Sequence, residues 1–535
     1  MTQRKILPMP RRPLAIPLLA ALFALGLCLP VLHAQPAPGQ NALPPVVERP
    51  HPGPGKPEQG ETKPAAAQAL PADAVTTHTI TVDGRELAYT ATAGSIALAD
   101  DKGERTAEIF YVAYTLNGAA RASRPITFAF NGGPGAGSAY LQVGALGPRV
   151  LDYGDGRELP FTSGKVIDNP DTWLDLSDLV FVDPVETGYS RSTLSEDETR
   201  KEFFGVKPDL DAIGRIVHQL LVHLDRLESP FYLVGESYGG FRAARLPRLL
   251  GAEEGVVVRG AVLISPALEF SLLGGGEFNP MPWVLRVPSY AAVGLEAQGK
   301  LSPAALADAE HFALGDYLMG IVTPAADPAD ADRFYETIAG LIGVPEPTVA
   351  RWRGRVPLGV FLKEAHRGNQ ELASRYDGSV AAPDAYPSSY SSEGADPVLA
   401  GLNGPLTSGF VNFARDELNF KTDRRYLLLN GDVARRWSWR EGGDGGPGQG
   451  GAGVSDDLRE GLALEPRLHV LIAHGMTDLQ TPYLGSRYVI SQLPENLTRD
   501  RVSLALYPGG HMMYLRPASR AALHRDARAI YSAGE

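Results

Sequence analysis

Residues 231–240 read FYLVGESYGG, an apolar run that leads directly into Gly-x-Ser-x-Gly. This arrangement, followed by a helix, is typical of a nucleophile elbow, in which a serine stands at the tip of a sharp strand-to-helix turn. Gly235 and Gly239 lack Cβ atoms, so the strand and the helix can pack closely beneath Ser237. The alternative is an ordinary glycine turn. The pattern favours an α/β domain with Ser237 as its nucleophile.

Short apolar runs typical of buried parallel strands recur along the chain. Apolar residues also repeat at helical spacing over residues 210–224, which predicts a β-α-β unit. The alternating pattern of residues 78–90, broken at Asp83-Gly84, predicts a hairpin, and residues 517–531 predict a C-terminal helix. The fold class is therefore α/β with a mostly parallel sheet. Its predicted strands are residues 107–114, 126–130, 179–182, 231–234, 261–264, 468–473 and 503–507.

The strand pattern fails over residues 266–466, where helical stretches mix with irregular runs. We interpret this region as an inserted, largely helical cap, which divides the core into residues 75–265 and 467–535. Residues 441–454 are nearly all Gly, Asp, Pro and Gln, which predicts a flexible surface loop. A phosphate-binding loop is the alternative, but the Lys-Ser/Thr ending is missing.

The N-terminus predicts export. Four basic residues precede an apolar run at residues 14–29, and Ala34 offers a small-residue cleavage site, so residues 1–34 are interpreted as a signal peptide. Residues 35–74 are crowded with Pro, Gly, Gln and Ala and predict an unpacked linker. A membrane anchor is the alternative, but prolines interrupt the apolar stretch. The expected location is the periplasm or the extracellular medium, with no membrane association after cleavage.

Composition excludes several function classes. Lys and Arg total 50 against 62 Asp and Glu, a net charge of −12, which argues against nucleic acid as a partner. Cys28 is the only cysteine and lies in the predicted signal peptide, so disulfides and thiol chemistry are not expected in the mature protein. The histidines form no zinc-binding motif. We expect no metal and no cofactor.

A serine nucleophile needs a histidine to take its proton and an acid to orient that histidine, and this fold places them in the order Ser, Asp, His. Asp478 and His511 each follow a predicted strand downstream of Ser237. Because ligands bind at the carboxyl ends of parallel strands, the three side chains are expected to converge there. His474 competes with His511, and Asp183 competes with Asp478, but each would break the chain order.

Acyl transfer also needs hydrogen-bond donors for the developing oxyanion. One commonly comes from the residue after the nucleophile, here Tyr238, and another from an earlier strand-to-helix loop. Residues 128–138 read FAFNGGPGAGS, in which glycines after a strand let the backbone approach a substrate. Gly133 is the second candidate. Alone, this run is equally compatible with a structural turn or a weak nucleotide loop.

Four separated segments resemble the serine carboxypeptidases, α/β-hydrolase enzymes that remove C-terminal residues from peptides. They are NGGPG at 131–135, DPVETGYS at 183–190, GESYG at 235–239 and GHM at 510–512. The resemblance spans about residue 77 to the C-terminus, and the cap resembles the family only in position. It implies an α/β-hydrolase fold and a serine-type carboxypeptidase that acts through an acyl-enzyme.

The resemblance implies a role for each matching residue. It identifies Ser237, Asp478 and His511 as the catalytic triad, with Gly133 and Tyr238 as the oxyanion donors. The residues that match Asn131 and Glu236 bind the substrate's C-terminal carboxylate in the family, with the acid protonated so that it donates a hydrogen bond. Met512 is expected to line the pocket for the departing amino acid. The implied partner is a peptide with a free C-terminal carboxylate.

The chain departs from the family at two positions. Ala145 stands where relatives usually carry a second glutamate beside the one that matches Glu236. Without that like charge, protonation of Glu236 is less favoured, so we expect a weaker preference for acidic pH than in the family. Ala136 replaces a family cysteine, which leaves the family's cap framework without its disulfides.

Other functions stay open at the level of sequence. Prolyl aminopeptidases share the Gly-Gly-Pro-Gly loop and the elbow, esterases share the triad, and an acyltransferase would pass the same acyl group to an alcohol. A non-catalytic binding protein with a hydrolase fold is the remote alternative. Asn131 and Glu236 favour the carboxypeptidase. Side-chain specificity and oligomeric state are not encoded in any recognisable pattern.

Overall fold

The computed structural model describes residues 69–100, 102–157, 164–274, 278–440 and 449–533. The predicted signal peptide, the predicted linker up to residue 68 and residues 441–448 of the predicted glycine-rich loop lie outside the described residues. Within them, no helix combines the length and the apolar character that a membrane crossing requires.

The strands of the described residues are β1 (Ala74–Val82), β2 (Arg85–Ala99), β3 (Arg105–Leu116), β4 (Ile126–Phe130), β5 (Arg149–Leu151), β6 (Val166–Asp168), β7 (Asp178–Val182), β8 (Arg191–Ser192), β9 (Phe231–Glu236), β10 (Val258–Ile264), β11 (Glu371–Ala373), β12 (Ala381–Pro383), β13 (His469–Gly475) and β14 (Val502–Tyr507).

The α-helices of the same residues are α1 (Ala139–Leu141), α2 (Glu196–Phe203), α3 (Val206–His223), α4 (Tyr238–Leu249), α5 (Phe270–Leu273), α6 (Met281–Ala297), α7 (Pro303–Phe312), α8 (Leu318–Val322), α9 (Pro328–Ile342), α10 (Glu346–Arg351), α11 (Leu358–Glu364), α12 (Pro397–Asp416), α13 (Gly431–Arg436), α14 (Ser455–Leu464), α15 (Tyr483–Gln492), α16 (Glu495–Thr498) and α17 (Pro517–Ala533).

One mostly parallel sheet organises the fold. Its strand order is β1-β2-β3-β7-β4-β9-β10-β13-β14, and β8 pairs with β3. Every neighbouring pair from β7 to β14 is parallel, whereas β1, β2, β3 and β7 pair antiparallel in succession. The parallel strands have helices between them along the chain, as βαβ crossovers require. The predicted fold class, an α/β-hydrolase, is confirmed.

The predicted hairpin is confirmed as β1 and β2. Val82 pairs directly with Arg85, so the turn between them has two residues. Asp83 and Gly84 have φ values of 50° and 76°. A type I′ turn requires positive φ at both central residues, and Asp-Gly is one of the pairs that supply it at low cost.

The sheet is buried on both faces, which explains the unbroken apolar runs. Alternate residues of β4 face opposite sides: Phe128 and Phe130 pack with α3 and α4, whereas Ala129 packs on the side of α12 and α17. This period of two is the geometry of any strand. Because the strands from β4 to β14 pair in parallel, the carboxyl ends of β4, β9, β13 and β14 lie at one edge of the sheet.

The insertion between β10 and β13 is largely helical, as predicted. Its helices α6, α7, α9 and α11 share an apolar cluster with α15. Two other inserted helices pack elsewhere: α12 belongs to the cluster on one face of the sheet, and α14 belongs to the cluster on the other face. The inserted region thus completes the main core as well as covering it.

Candidate active site

Ser237 lies at the tip of a strained turn between β9 and α4. Its φ and ψ are 60° and −120°, a region that non-glycine residues seldom occupy. A Cβ atom on Gly235 would collide with the Gly239 carbonyl oxygen, and one on Gly239 would collide with the Phe130 carbonyl oxygen. Ser237 is half-buried while its immediate neighbours are buried. The geometry is that of a nucleophile elbow.

His511 and Asp478 meet beside this turn. The Nδ1 atom of His511 lies 2.9 Å from Asp478 Oδ2, and both side chains are almost fully buried. Burial alone would lower the pKa of His511, but the charge of Asp478 and its hydrogen bond raise it above its ordinary value. His511 and Ser237 line the same cavity. The structure therefore brings together the three residues expected to form a triad.

Backbone and side-chain donors hold the Asp478 carboxylate in place. The backbone N–H groups of Gln480 and Thr481 donate to Oδ1 at 2.8 and 3.0 Å. The Thr481 hydroxyl donates to Oδ2 at 2.8 Å. Because Oδ1 is fixed by two donors, Oδ2 faces His511, which orients the imidazole.

The two competing residues have other partners. His474 is buried with Nε2 2.8 Å from the Ser486 hydroxyl, and burial lowers the pKa of its imidazole to about 4. Asp183 accepts hydrogen bonds from the backbone N–H and the hydroxyl of Ser138, at 2.7 and 2.8 Å, and from the Tyr189 N–H at 3.0 Å. Asp183 thus fixes the glycine-rich loop after β4, not a histidine.

The glycine-rich loop approaches the start of α4 closely. A Cβ atom on Gly132 would lie only 2.5 Å from the Tyr238 nitrogen. Gly133 has a φ of 100°, a conformation that favours glycine, and it lines the same cavity as Ser237. The backbone of Gly133 thus lies close to the nucleophile. Tyr238 is in the first turn of a helix, where N–H groups lack intrahelical partners.

A buried ion pair binds the backbone of this loop. Arg242 on α4 donates to both carboxylate oxygens of Asp209, at 2.7 and 2.8 Å. Its third hydrogen bond goes to the Asn131 carbonyl oxygen at 2.6 Å. Arg242 is 1% exposed. The guanidinium therefore ties α4 and α3 to the backbone from which the Asn131 side chain projects.

Asn131 and Glu236 are hydrogen-bonded to each other. The Asn131 amide donates to Glu236 Oε2 at 2.6 Å, and the Tyr514 hydroxyl donates to the same oxygen at 2.8 Å. No described residue donates to Oε1. Glu236 lines the same cavity as Ser237.

Burial raises the pKa of Glu236 to about 7, opposed by His511 and by the two donors and reinforced by Asp478. A carboxyl with this pKa is protonated over much of the range below neutrality and donates a hydrogen bond in that form. Ala145, which replaces the family's second glutamate, is buried in the turn over residues 142–146. Tyr514, which the sequence did not single out, is the additional partner of Glu236.

The cavity combines residues from the core and the insertion. Met512 lines it, and so do Tyr376 and Leu399 of the inserted region. Neither inserted residue has a sequence signature. The full lining is Asn131, Gly132, Gly133, Ala136, Tyr140, Glu236, Ser237, Tyr376, Leu399, Leu429, Gln480, His511 and Met512. In the part of the chain that the structure describes, no group of three His, Cys, Asp or Glu side chains is arranged to hold a metal ion.

Comparison with known families identifies the first half of this site. Residues 88–250 match the sequence model of the family described as serine carboxypeptidase, peptidase family S10. The family resemblance is confirmed over this range. The matched segment contains Asn131, Gly133 and the elbow of Ser237, whereas Asp478 and His511 lie beyond it. This match supports a serine hydrolase.

Several solved structures of hydrolases are similar to this chain. A proline iminopeptidase from Mycobacterium smegmatis covers 83% of this chain and 100% of its own at 14% identity, with a TM-score of 0.36. A peroxisomal α/β-hydrolase from Saccharomyces cerevisiae covers 87% and 90% at 11% identity, with a TM-score of 0.36. An esterase from Thermogutta terrifontis covers 82% and 99% at 12% identity, with a TM-score of 0.32.

Proposed function

We propose that the protein is an exported serine carboxypeptidase that removes the C-terminal residue of peptides. Ser237 Oγ attacks the carbonyl carbon of the last peptide bond while His511 Nε2 takes the hydroxyl proton. The oxyanion that forms accepts hydrogen bonds from the N–H groups of Gly133 and Tyr238. Asp478 holds His511 in the tautomer with its proton on Nδ1 and stabilises the imidazolium.

Collapse of the tetrahedral intermediate expels the C-terminal amino acid. His511 donates its proton to the leaving nitrogen as the C–N bond breaks, which leaves an acyl group on Ser237. A water molecule, deprotonated by His511, then attacks the acyl carbon. The bond between that carbon and Ser237 Oγ breaks, His511 returns the proton to Oγ, and the shortened peptide is released. Acylation and deacylation each conserve protons and electrons, and no step needs a metal or a cofactor.

The hydrogen-bonded pair of Asn131 and buried Glu236 in the cavity of Ser237 is the observation that carries the proposal. Asn131 and Glu236 lie directly beside the nucleophile, and the burial that raises the pKa of Glu236 to about 7 supports a protonated carboxyl near neutral pH. The proton belongs on Oε1, because Oε2 already accepts from Asn131 and Tyr514. In this form Glu236 donates to a substrate carboxylate instead of repelling it.

The alternative of an aminopeptidase requires the opposite state of Glu236. A substrate ammonium group is attracted by an ionised carboxylate, which exists above the pKa of about 7. Binding of a free N-terminus would therefore strengthen as pH rises through neutrality. Binding of a free C-terminus would weaken over the same interval, so the sign of the pH dependence separates the two functions.

Export to the periplasm or beyond is part of the proposal and depends on residues 1–34. The predicted signal peptide is supported by its basic start, apolar run and small-residue cleavage candidate. Mature protein purified from the medium or the periplasm should begin at Gln35. N-terminal sequencing that finds Met1 on the exported protein would contradict cleavage at Ala34.

The proposal is tested with one N-terminally blocked peptide and its C-terminally amidated twin. Mass spectrometry should detect loss of a single C-terminal residue from the free acid only. The Ser237→Ala variant should trim neither peptide. Equal trimming of both peptides, or cleavage only when the N-terminus is unblocked, would contradict carboxypeptidase action while leaving the serine hydrolase intact.

A further inference from the structure

The loop between β11 and β12, residues 374–380, reaches from the insertion to the candidate site. Its own structure is fixed: the Ser374 N–H donates to the Val380 carbonyl oxygen at 2.9 Å, and the Ser374 hydroxyl accepts from the Tyr376 N–H at 3.0 Å. The Ser374 hydroxyl also donates to Asp396 at 2.7 Å, which anchors the loop to the start of α12. We call these seven residues the β11–β12 loop.

The β11–β12 loop binds the segment that carries Asp478. The Thr477 hydroxyl donates to Asp377 Oδ1 at 2.6 Å, and the Gly378 N–H donates to the Thr477 carbonyl oxygen at 3.0 Å. On the other side of Asp478, the Leu479 N–H donates to the Arg375 carbonyl oxygen at 3.2 Å. Both neighbours of Asp478 are therefore tied to the same loop.

The same loop also binds the segment that carries His511. The His511 N–H donates to the Tyr376 carbonyl oxygen at 2.5 Å, and the two rings meet edge to face with centroids 5.4 Å apart. Arg516 donates to Asp377 Oδ2 at 2.9 Å. A Cβ atom on Gly510 would collide with the Tyr376 carbonyl oxygen, so a glycine is required for this approach.

We propose that Asp377 is a positioning residue, which sets the distance between Asp478 and His511 by bonding to both of their segments at once. One carboxylate oxygen accepts from Thr477 and the other from Arg516, so a single buried side chain spans the two loops. Misplacement of catalytic groups by about 1 Å costs on the order of 100-fold in rate. The insertion thereby contributes to catalytic geometry as well as to the cavity wall.

The two donors to Asp377 differ in whether they have another partner. Arg516 also donates to Glu296 on α6 at 2.6 Å, and Arg157 contacts the same Glu296 oxygen at 3.1 Å. Asp377 Oδ1 further accepts from the N–H and the hydroxyl of Ser379. Loss of the Asp377 carboxylate thus leaves Arg516 a partner but leaves the Thr477 hydroxyl without its acceptor.

The test measures the rate of Ser237 labelling by a fluorophosphonate as a function of pH, on the full-length mature protein. Asp377→Ala is compared with Asp384→Ala, since the Asp384 carboxylate also belongs to the insertion and is largely buried, but pairs with Lys363 instead of with a segment that carries a triad residue. A second variant, Thr477→Val, removes one of the two tethers and keeps the ion pair of Asp377 with Arg516. Melting temperatures establish that each variant is folded.

Asp377→Ala is expected to lower the maximal labelling rate by about tenfold or more relative to Asp384→Ala. Because Asp478 raises the pKa of His511, loosening their contact should also move the labelling midpoint to lower pH. A purely structural role would reduce the amount of active protein without moving that midpoint. Thr477→Val should reproduce the direction of both changes.

This inference depends on the proposed triad, and the two are separable in the same experiment. If the unmodified protein is not labelled while Ser237 is intact, the proposed function is overturned and the positioning role with it. If it is labelled, but Asp377→Ala and Thr477→Val match Asp384→Ala in rate and midpoint, only the positioning role is overturned.

Discussion

Tyr514 donates a hydrogen bond at 2.8 Å to the buried carboxyl of Glu236, a residue 278 positions earlier in the chain. Asn131 donates to the same oxygen at 2.6 Å. Two donors on one oxygen fix the orientation of the carboxyl group and assign its proton to the other oxygen. Tyr514 and Asn131 therefore determine which carboxyl oxygen of Glu236 is left to bind a substrate.

Replacing Tyr514 by Phe removes a donor that favours ionised Glu236, so the pKa of Glu236 should rise further. A hydrogen bond to a charged group contributes about 1.5–3 kcal/mol, equivalent to a shift of about one pH unit or more. The pH at which KM for a free-acid peptide begins to increase should move upward by that amount. Tyr531→Phe is the control, because its buried hydroxyl bonds to Thr127 and neither residue lines the cavity. An unchanged KM profile in Tyr514→Phe would contradict this role.

Asp478→Asn should reduce the rate of Ser237 acylation by roughly 10⁴-fold. Gln480 and Thr481 donate to Oδ1, so the new amide would direct its NH₂ group at His511 and select the wrong tautomer. Stopped-flow measurement with an activated ester gives the rate directly. Asp175→Asn is the matched control, since Asp175 forms a buried pair with His524 at 2.8 Å away from the cavity. Equal rates in the two variants would remove Asp478 from the mechanism.

Arg242→Met should destabilise the fold by about 3–5 kcal/mol, because it leaves the buried Asp209 carboxylate without its ion-pair partner. Urea unfolding measures the difference in the free energy of unfolding. The double variant Arg242→Met with Asp209→Leu should recover part of the loss, since no buried charge remains. A single variant within about 1 kcal/mol of the unmodified protein would show that the pair does not support the loop.

The parts of the site that are local in sequence were predictable. The elbow of Ser237 is encoded within ten residues, because glycine is required at Gly235 and Gly239 for steric reasons. Asp478 and His511 follow apolar strands, and the strand order brings those strand ends to one edge. The same logic predicted the hairpin from its Asp-Gly turn. In each case a short pattern determines the local backbone.

The parts that depend on distant contacts were not predictable. Tyr514 reaches Glu236 only because the segment after β14 folds back over the sheet, and an isolated tyrosine carries no pattern. Tyr376 and Asp377 come from a loop whose apolar spacing indicates neither helix nor strand. The helices α12 and α14 follow the amphipathic pattern of any surface helix, so sequence did not assign them to the main core rather than to the cap.

The central claim is that protonated Glu236 recognises the substrate's C-terminal carboxylate, and Glu236→Gln tests it most directly. An amide keeps the shape and a donor but does not titrate. We would measure kcat/KM for the free-acid peptide at pH 6 and at pH 8. Each value is divided by the fluorophosphonate labelling rate at the same pH, because that rate reports on His511, and the two ratios are compared. With a pKa of about 7 for Glu236, this ratio should fall roughly tenfold in the unmodified protein and stay constant in Glu236→Gln. A ratio that is constant in both proteins, or that falls equally in both, would contradict the claim.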